Sequence, residues 1–248
     1  MKLYNNIDLV QFNIKQGVDE YYFPKNVNWR NRVVDKVVLV CAEAGTPQIS
    51  PIDGQTALLD ATQIGSCYLD IYASDDTQIF RNMSVENFIY QQNHIPMIGK
   101  QLSLNLSRLF FTDTPLVDGC LLMYVFYGTK DAEYYPAQKS VTVEFSLPAN
   151  GKVSLQDIMD NYILNQPETL KGIEFWDGTF YLTLRDKDQT RSMNDMHCYL
   201  FRPQILGNGT PDTQLHEFRT DDLQIDFLNS FVQNAVNTAT QCRLTFNY

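Results

Sequence analysis

The chain is 248 residues long, room for one large β domain or for two of ordinary size, each able to bury its own core. Aromatic residues at 12% and charged residues at 19% point away from a helix-rich or disordered chain and suit strands, whose pleated surface favours bulky side chains. With 29 acidic against 19 basic residues the net charge is −10, the wrong sign for duplex nucleic acid as the main ligand, because phosphate contacts supply most sequence-independent affinity.

The first residues, Met1 to Asp8, hold no apolar run of signal-peptide length, and no stretch approaches the length needed to span a bilayer. The expectation is a protein that folds in a cytoplasm, with no membrane partner. Next comes Val37-Val38-Leu39-Val40-Cys41, apolar at every position, followed by turn formers at Gly45-Thr46-Pro47 and Asp53-Gly54. Cys67 to Ile71 reads as a strand ending at the turn Ala73-Ser74-Asp75-Asp76, and Ser84 to Gln92 is a weak helix candidate. Leu102, Leu104 and Leu106 alternate with polar residues, which predicts a half-buried strand before the turn Asp113-Thr114-Pro115. Cys120 to Tyr127 is again apolar throughout.

Thr129 to Glu133 is polar and Pro136 interrupts pairing, which sets a boundary and two domains, residues 1–133 and 134–248. Beyond it Val141, Val143, Phe145 and Leu147 alternate, and Asn150-Gly151 turns the chain. Ser154, with Asp157 three residues on, caps a helix running through Ile158, Tyr162 and Ile163. Asp177-Gly178 and Gly207-Asn208-Gly209 are further turns, and Leu244, Phe246 and Tyr248 close the chain as a strand.

Pieces of the first half recur in the second, in the same order. Cys67 to Ile71 matches Phe180 to Leu184 at an offset of 113 (181 − 68), and Leu102 to Leu106 matches Leu223 to Phe227 at 121 (223 − 102). Cys120 matches Cys242 at 122, and Val37 to Gly45 lies against Val143 to Gly151 at 106. The growing offset implies loop insertions in the second copy. The fold expected is all-β: two tandem β-sandwich domains, immunoglobulin-like or jelly-roll-like, related by internal duplication, with at most one or two short helices. A single extended β domain is the alternative.

The strands around Val37 and Cys120 are apolar on both faces and must be covered on both. The segment Leu3 to Val27, to which the repeat assigns no counterpart, is the expected cover, and another subunit is the alternative.

Chemistry-bearing patterns are sparse. The five cysteines, Cys41, Cys67, Cys120, Cys198 and Cys242, form no Cys-x-x-Cys pair and read as small buried hydrophobes in a reducing compartment. Among His94, His197 and His216, His197 adjoins Cys198, but strand neighbours point to opposite faces, so a buried cysteine beside a surface histidine is the expectation. No zinc-ligand spacing occurs. Asp75-Asp76 and Asp186-Lys187-Asp188 offer too few oxygens for calcium and read as solvated turns. Paired carboxylates of a hydrolase would come from distant strands, and nothing singles out two of the 29 acids. Gly207-Asn208-Gly209-Thr210 lacks the lysine of a phosphate loop, and the glycosylation patterns at Asn82, Asn105 and Asn208 carry no weight without a secretion signal. Trp29, Trp176 and Tyr21-Tyr22 are candidate sugar platforms, with packing the expected role for Trp176. No catalytic, cofactor-binding or metal-binding residue is assigned, and no cofactor is expected.

One stretch carries a resemblance: Tyr21-Tyr22-Phe23-Pro24-Lys25-Asn26-Val27, Arg32 to Leu39, Ser50-Pro51-Ile52-Asp53-Gly54 and Tyr68-Leu69-Asp70-Ile71-Tyr72. It resembles β-rich virion proteins of the crAss-like tailed bacteriophages over roughly residues 20 to 128. The resemblance implies a non-enzymatic, multi-copy virion component, made in the host cytoplasm and added to a capsid, head fibre, collar or tail. Its partners would then be other virion proteins and further copies of itself, with no direct nucleic-acid contact. A carbohydrate-binding module for host attachment is the alternative.

Overall fold

A computed structural model describes residues 2–3, 6–43, 45–89, 98–127, 130–131, 140–159, 169–170, 172–188, 192–201, 204–205, 211–212 and 223–247. The chain divides into two compact units, Ile7–Gly128 and a second made of Thr129–Tyr248 with Met1–Asn6. The first six residues join the second unit because Lys2 and Leu3 pair antiparallel with Asp131 and Lys130.

Among its described residues the first unit has eight strands: β1 (Asn6–Ile14), β2 (Glu20–Tyr22), β3 (Val33–Val40), β4 (Cys67–Tyr72), β5 (Gln78–Ser84), β6 (Lys100–Gln101), β7 (Arg108–Phe111) and β8 (Gly119–Tyr127). They form two four-stranded sheets, ordered β1-β8-β3-β6 and β2-β7-β4-β5. An eight-strand sandwich in which the first strand lies beside the last, and the second beside the seventh, is a jelly roll. The sequence-level choice between immunoglobulin-like and jelly-roll-like order is thereby resolved for this unit.

The second unit repeats the order with β9 (Ser140–Leu147), β10 (Lys152–Ser154), β11 (Gly172–Asp177), β12 (Phe180–Arg185), β13 (Ser192–His197), β14 (Phe231–Asn234) and β15 (Thr240–Asn247). Its larger sheets run β9-β15-β11 and β10-β14-β12-β13; short pairs join Thr169–Leu170 to Leu223–Gln224, the counterpart of β6, and Gln204–Ile205 to Pro211–Asp212. Phe180 of β12 packs against Phe145 of β9 and Phe175 of β11, at centroid distances of 6.3 and 5.6 Å, and so joins the two sheets through aromatic contacts. The chain is all-β, with one short α-helix, Leu155–Met159, among the described residues. Ser154 caps that helix as its sequence predicts: the Asp157 N–H donates to Ser154 Oγ (3.0 Å), which donates to Asp157 Oδ2 (2.6 Å). Tyr162 and Ile163 lie outside the described residues. The weak helix candidate from Ser84 becomes a single 3-10 turn, Val85–Phe88, with residues 90–92 outside the described set.

Correspondence between the units extends to individual hydrogen bonds. At the offset of 113 (195 − 82), Asn82 (φ 49°) and Asp195 (φ 48°) hold the same left-handed bulge. The Asn82 N–H donates to Asp70 Oδ1 (2.9 Å) and the Asp195 N–H to Thr183 Oγ1 (3.0 Å), while a 3-10 turn follows each bulge, Val85–Phe88 and Cys198–Phe201. Ser107 and Ser230, both fully buried, accept the N–H groups of Tyr72 (3.1 Å) and Arg185 (2.9 Å) at their hydroxyls. Their carbonyls accept from Phe23 (3.2 Å) and Leu155 (2.8 Å).

Several sequence-level expectations change. Leu102 to Leu106 is no strand: Leu102 makes one bridge to Ala73, after which the Leu106 and Ser107 N–H groups turn back onto the Ser103 carbonyl. Its counterpart behaves alike, Ile225 bridging Asp186 before a turn at 227–229, so the correct offset there is 123 (225 − 102). Val37 to Val40 belongs with β11 rather than with Val143, because β3 and β11 lie on one side of their unit's last strand while β1 and β9 lie on the other. Residues 3–27 do have a counterpart, since β1 and β2 occupy the places of β9 and β10. β1 is a neighbour of β8 within one sheet, not a lid over it. All nine residues of β8 are buried within the single chain, with Ile89 bridged to Leu39 and Leu58 bridged to Cys120.

Candidate functional site

The two units differ most at one end, where β1 and β3 finish and β8 begins. In the first unit three of the connections there are residues 15–19, 41–66 and 112–118; in the second the matching three are 148–151, 178–179 and 235–239. The 26-residue excursion 41–66 thus stands where the second unit has the two residues Gly178 and Thr179, so at this end the insertion lies in the first copy, while the rise in offset from 113 to 123 further along places another in the second, as expected. Connections longer than about 12–15 residues are uncommon in compact domains and concentrate function.

This excursion is built in, not loose. The Cys120 N–H donates to the Ala57 carbonyl (2.8 Å), the Leu59 N–H to the Cys120 carbonyl (2.9 Å) and the Ala42 N–H to the Leu59 carbonyl (2.9 Å). Leu58, Leu59 and Ile64 are buried, as are the polar Gln48 and Ser50. Ser50 Oγ donates to Gln11 Oε1 of β1, and Gln11 Nε2 reaches Asp53 Oδ2 (3.4 Å), which ties the excursion to the outer sheet strand.

Between the excursion and the loop 112–118 lies a groove of about 350 Å³ lined by Asn13, Lys15, Asp53, Thr56, Asp118 and the backbone of Gly119. A Cβ at Gly119 would meet Leu59 Cδ2 at 2.5 Å, so glycine lets β8 pass close beneath the excursion. Asp53 accepts the N–H groups of Gln55 and Thr56 (both 2.9 Å) and the Thr56 hydroxyl (2.5 Å). Partial burial pushes its carboxyl up, but these bonds outweigh it and hold the pKa at about 2. Asp118 accepts the Gln16 N–H (2.8 Å) and pairs with the Lys15 ammonium (3.1 Å), which lowers its pKa too. Both carboxylates are therefore ionised at neutral pH and already engaged with their own loops. What this lining can do is pair charge and exchange hydrogen bonds; Asp53 is no proton donor near neutrality.

Exposed apolar side chains lie in the same three connections. Val18 and Val117 are about two-fifths exposed, Ile52 is 55% exposed and Leu116 is 82% exposed. The Gly17 N–H donates to the carbonyl of buried Pro115 (3.2 Å), which locks the 15–19 and 112–118 loops together beneath Val18 and Leu116.

Residues singled out in the sequence fall elsewhere. His197 is fully buried rather than at the surface, wedged between Tyr181 and Tyr199 at centroid distances of 5.2 and 4.4 Å. Strand β13 ends at His197 and the 3-10 turn starts at Cys198, so alternation breaks and the Cys198 sulfur comes within 3.7 Å of His197 Nδ1. That nitrogen accepts the Tyr199 N–H (3.2 Å), and Cys198 is buried as well, so the pair lies in the core away from solvent. Trp29 is buried, edge-on to Phe23, which in turn packs on Phe12; it is a core anchor and not a sugar platform. Tyr21 donates its hydroxyl to the Val18 carbonyl (3.0 Å), whereas Tyr22 is half exposed. Trp176 lies on β11, its side chain outside the described residues, as are His94, His216 and residues 207–210. Asp75 accepts the Thr77 N–H in its turn (3.1 Å), and Asp186, buried, accepts the Gln224 N–H (3.2 Å). Among the described residues no cluster of three metal-ligating side chains occurs. All five cysteines are buried, and none is joined in a disulfide.

The sheets define an all-β protein of two jelly-roll sandwiches, the first elaborated at one end. No family model and no curated protein matches the chain. Among solved structures, it is similar to the major capsid protein P2 of bacteriophage PM2, at 11% identity and a TM-score of 0.21, covering 97% of this chain and 98% of that one. A score of that size carries no argument for this chain.

Proposed function

We propose that this protein is a multi-copy, non-enzymatic structural component of a tailed-phage particle, built into the capsid or the adjoining collar and tail. The observation that carries this reading is the same jelly-roll strand order appearing twice in one chain. Jelly rolls of this kind serve as the building blocks of viral capsids, though a fold by itself is shared among functions. Matching bulges, serine bonds and strand orders in the two units favour an origin by internal duplication, which gives one polypeptide two shell-forming modules. The resemblance of residues 20–128 to phage virion proteins points the same way. Jelly rolls also serve as lectins, but the Trp29 platform on which a sugar would stack lies inside the core. The elaborated end of the first unit, with its exposed apolar residues, is then a contact surface of the particle.

The test is co-fractionation. Particles from cells producing this chain are banded by density and probed with an antibody against it. The reading expects the chain in the particle band and resistant to high-salt washing. A chain found wholly in the soluble fraction overturns it.

A further inference from the structure

The two ends of the first jelly roll differ in charge. Its elaborated end, formed by residues 15–19, 41–66 and 112–118, carries six acids (Asp19, Glu43, Asp53, Asp60, Asp113, Asp118) and one base, Lys15, a net −5 (1 − 6). From this acidic rim project Leu116, Val117 and Val18. The opposite end is marked by Tyr127, the last residue of β8, whose partner Val34 is the second residue of β3. There the loop 23–32 holds Lys25, Arg30 and Arg32, all exposed, and no acid. Acids do lie at that end: Asp8 receives the Asn28 N–H and side-chain amide (both 3.4 Å), and the 73–77 turn holds Asp75, near Lys100, and Asp76. The loop is nonetheless the one dense cationic feature of the described part of a chain with net charge −10.

This loop is also rigid. Buried Trp29 pins its middle, and the Arg30 and Arg32 N–H groups close turns onto the Val27 and Trp29 carbonyls (3.3 and 3.0 Å). Beside it Val33 is 46% exposed. An apolar tip ringed by acids, and a stiff basic loop bordering an exposed apolar residue, are complementary in both sign and polarity.

We propose that the acidic tip of the first jelly roll docks onto the basic 23–32 loop of a second copy of this chain. Leu116 and Val117 would supply the apolar centre and Asp19 and Asp113 would face Arg30 and Arg32. A contact between two different patches is heterologous, and it propagates copies into a closed ring or an open row according to the rotation between neighbours. The proposal rests on the multi-copy reading above and specifies one of its contacts.

Sedimentation velocity of the purified full chain over a range of concentration and salt tests it. Self-association is expected at low ionic strength and is weakened roughly tenfold or more by high salt, which screens the charge pairs. Leu116→Asp is expected to weaken association roughly 30-fold or more, as loss of a central apolar contact does. The charge reversal Arg30→Glu with Arg32→Glu removes association, and adding Asp19→Lys with Asp113→Lys restores it; restoration also shows that the reversed chain folds. A wild-type chain monomeric at every concentration, association indifferent to Leu116→Asp, or a four-fold variant that stays monomeric while folded overturns the proposal. Particle incorporation of the Arg30→Glu, Arg32→Glu chain separates the two readings. A chain that enters particles without this contact refutes the docking alone, whereas absence of wild-type chain from particles refutes the assembly role.

Discussion

Replacing Ser230 by alanine isolates the bond on which the second jelly roll's corner depends. The Ser230 hydroxyl is buried and accepts the Arg185 N–H at 2.9 Å, just where β12 leaves its sheet and the chain turns toward the bridge at Asp186. Alanine keeps the shape, so no cavity of consequence forms, but the Arg185 N–H loses its acceptor inside the protein. A buried donor left without a partner costs about 1–3 kcal/mol. For a unit of this size that lowers the melting temperature by roughly 4–12 °C. Ser107→Ala removes the equivalent bond to Tyr72 in the first unit and is expected to cost a similar amount there. Differential scanning calorimetry of the full chain reads both, with Ser74→Ala, an exposed residue, as the control expected within about 0.5 kcal/mol of the parent. Each buried-serine variant should lower the transition of its own unit. If Ser230→Ala melts with the parent, or the two variants differ by more than about 2 kcal/mol, the equivalence of the two corners is not energetic and the reasoning fails.

Other consequences are as direct. Gly178 has φ +102°, and a Cβ there would lie 2.5 Å from Cys242 Sγ and 3.0 Å from Cys242 Cα, so Gly178→Ala should destabilise the second unit by about 2–4 kcal/mol, read by urea unfolding; a neutral change would contradict the close approach. Burial pushes the Cys41 thiol up to about 11 and those of Cys120 and Cys242 up to about 12, so at pH 8 a thiol reagent should leave the folded protein unmodified and titrate five groups once it is denatured. Rapid labelling of the native chain would refute this. Asp53, with a folded pKa near 2 against an ordinary value of 3.8, stabilises its loop fully above about pH 4, and that contribution is lost as the pH falls through about 2. Amide exchange of residues 50–57 should therefore be protected at pH 5 and loosen below pH 3, relative to an exchange-rate reference; protection unchanged down to pH 2 would contradict the carboxylate's role.

Much of this architecture was written in local patterns. Alternation at Val141 to Leu147 marked β9, and the match of Cys67 to Ile71 with Phe180 to Leu184 located β4 and β12 at the right offset, because both are inner strands of like burial. The pattern misled where it was short. Leu102, Leu104 and Leu106 alternate in sequence, yet a serine carbonyl gathers the following N–H groups and folds the run into a turn. Val37 to Gly45 was set against Val143 because apolar runs fit one another in any register; only the place in the sheet, on one side of the last strand or the other, distinguishes β3 from β1. His197 looked exposed by strand parity, but parity ends where β13 becomes a 3-10 turn. The candidate site was least legible. Gly45-Thr46-Pro47 and Asp53-Gly54 read as separate turns, and nothing local revealed that residues 41–66 form one folded excursion anchored to β8. Their one usable signal was length, 26 residues without a long alternating run.

The sharpest examination of the assembly role is the absolute number of these chains per purified particle, measured by mass spectrometry against isotope-labelled peptides. The account predicts several copies per particle, in a fixed whole-number ratio to the other shell or tail proteins. Absence from particles, or a variable trace amount, would contradict it.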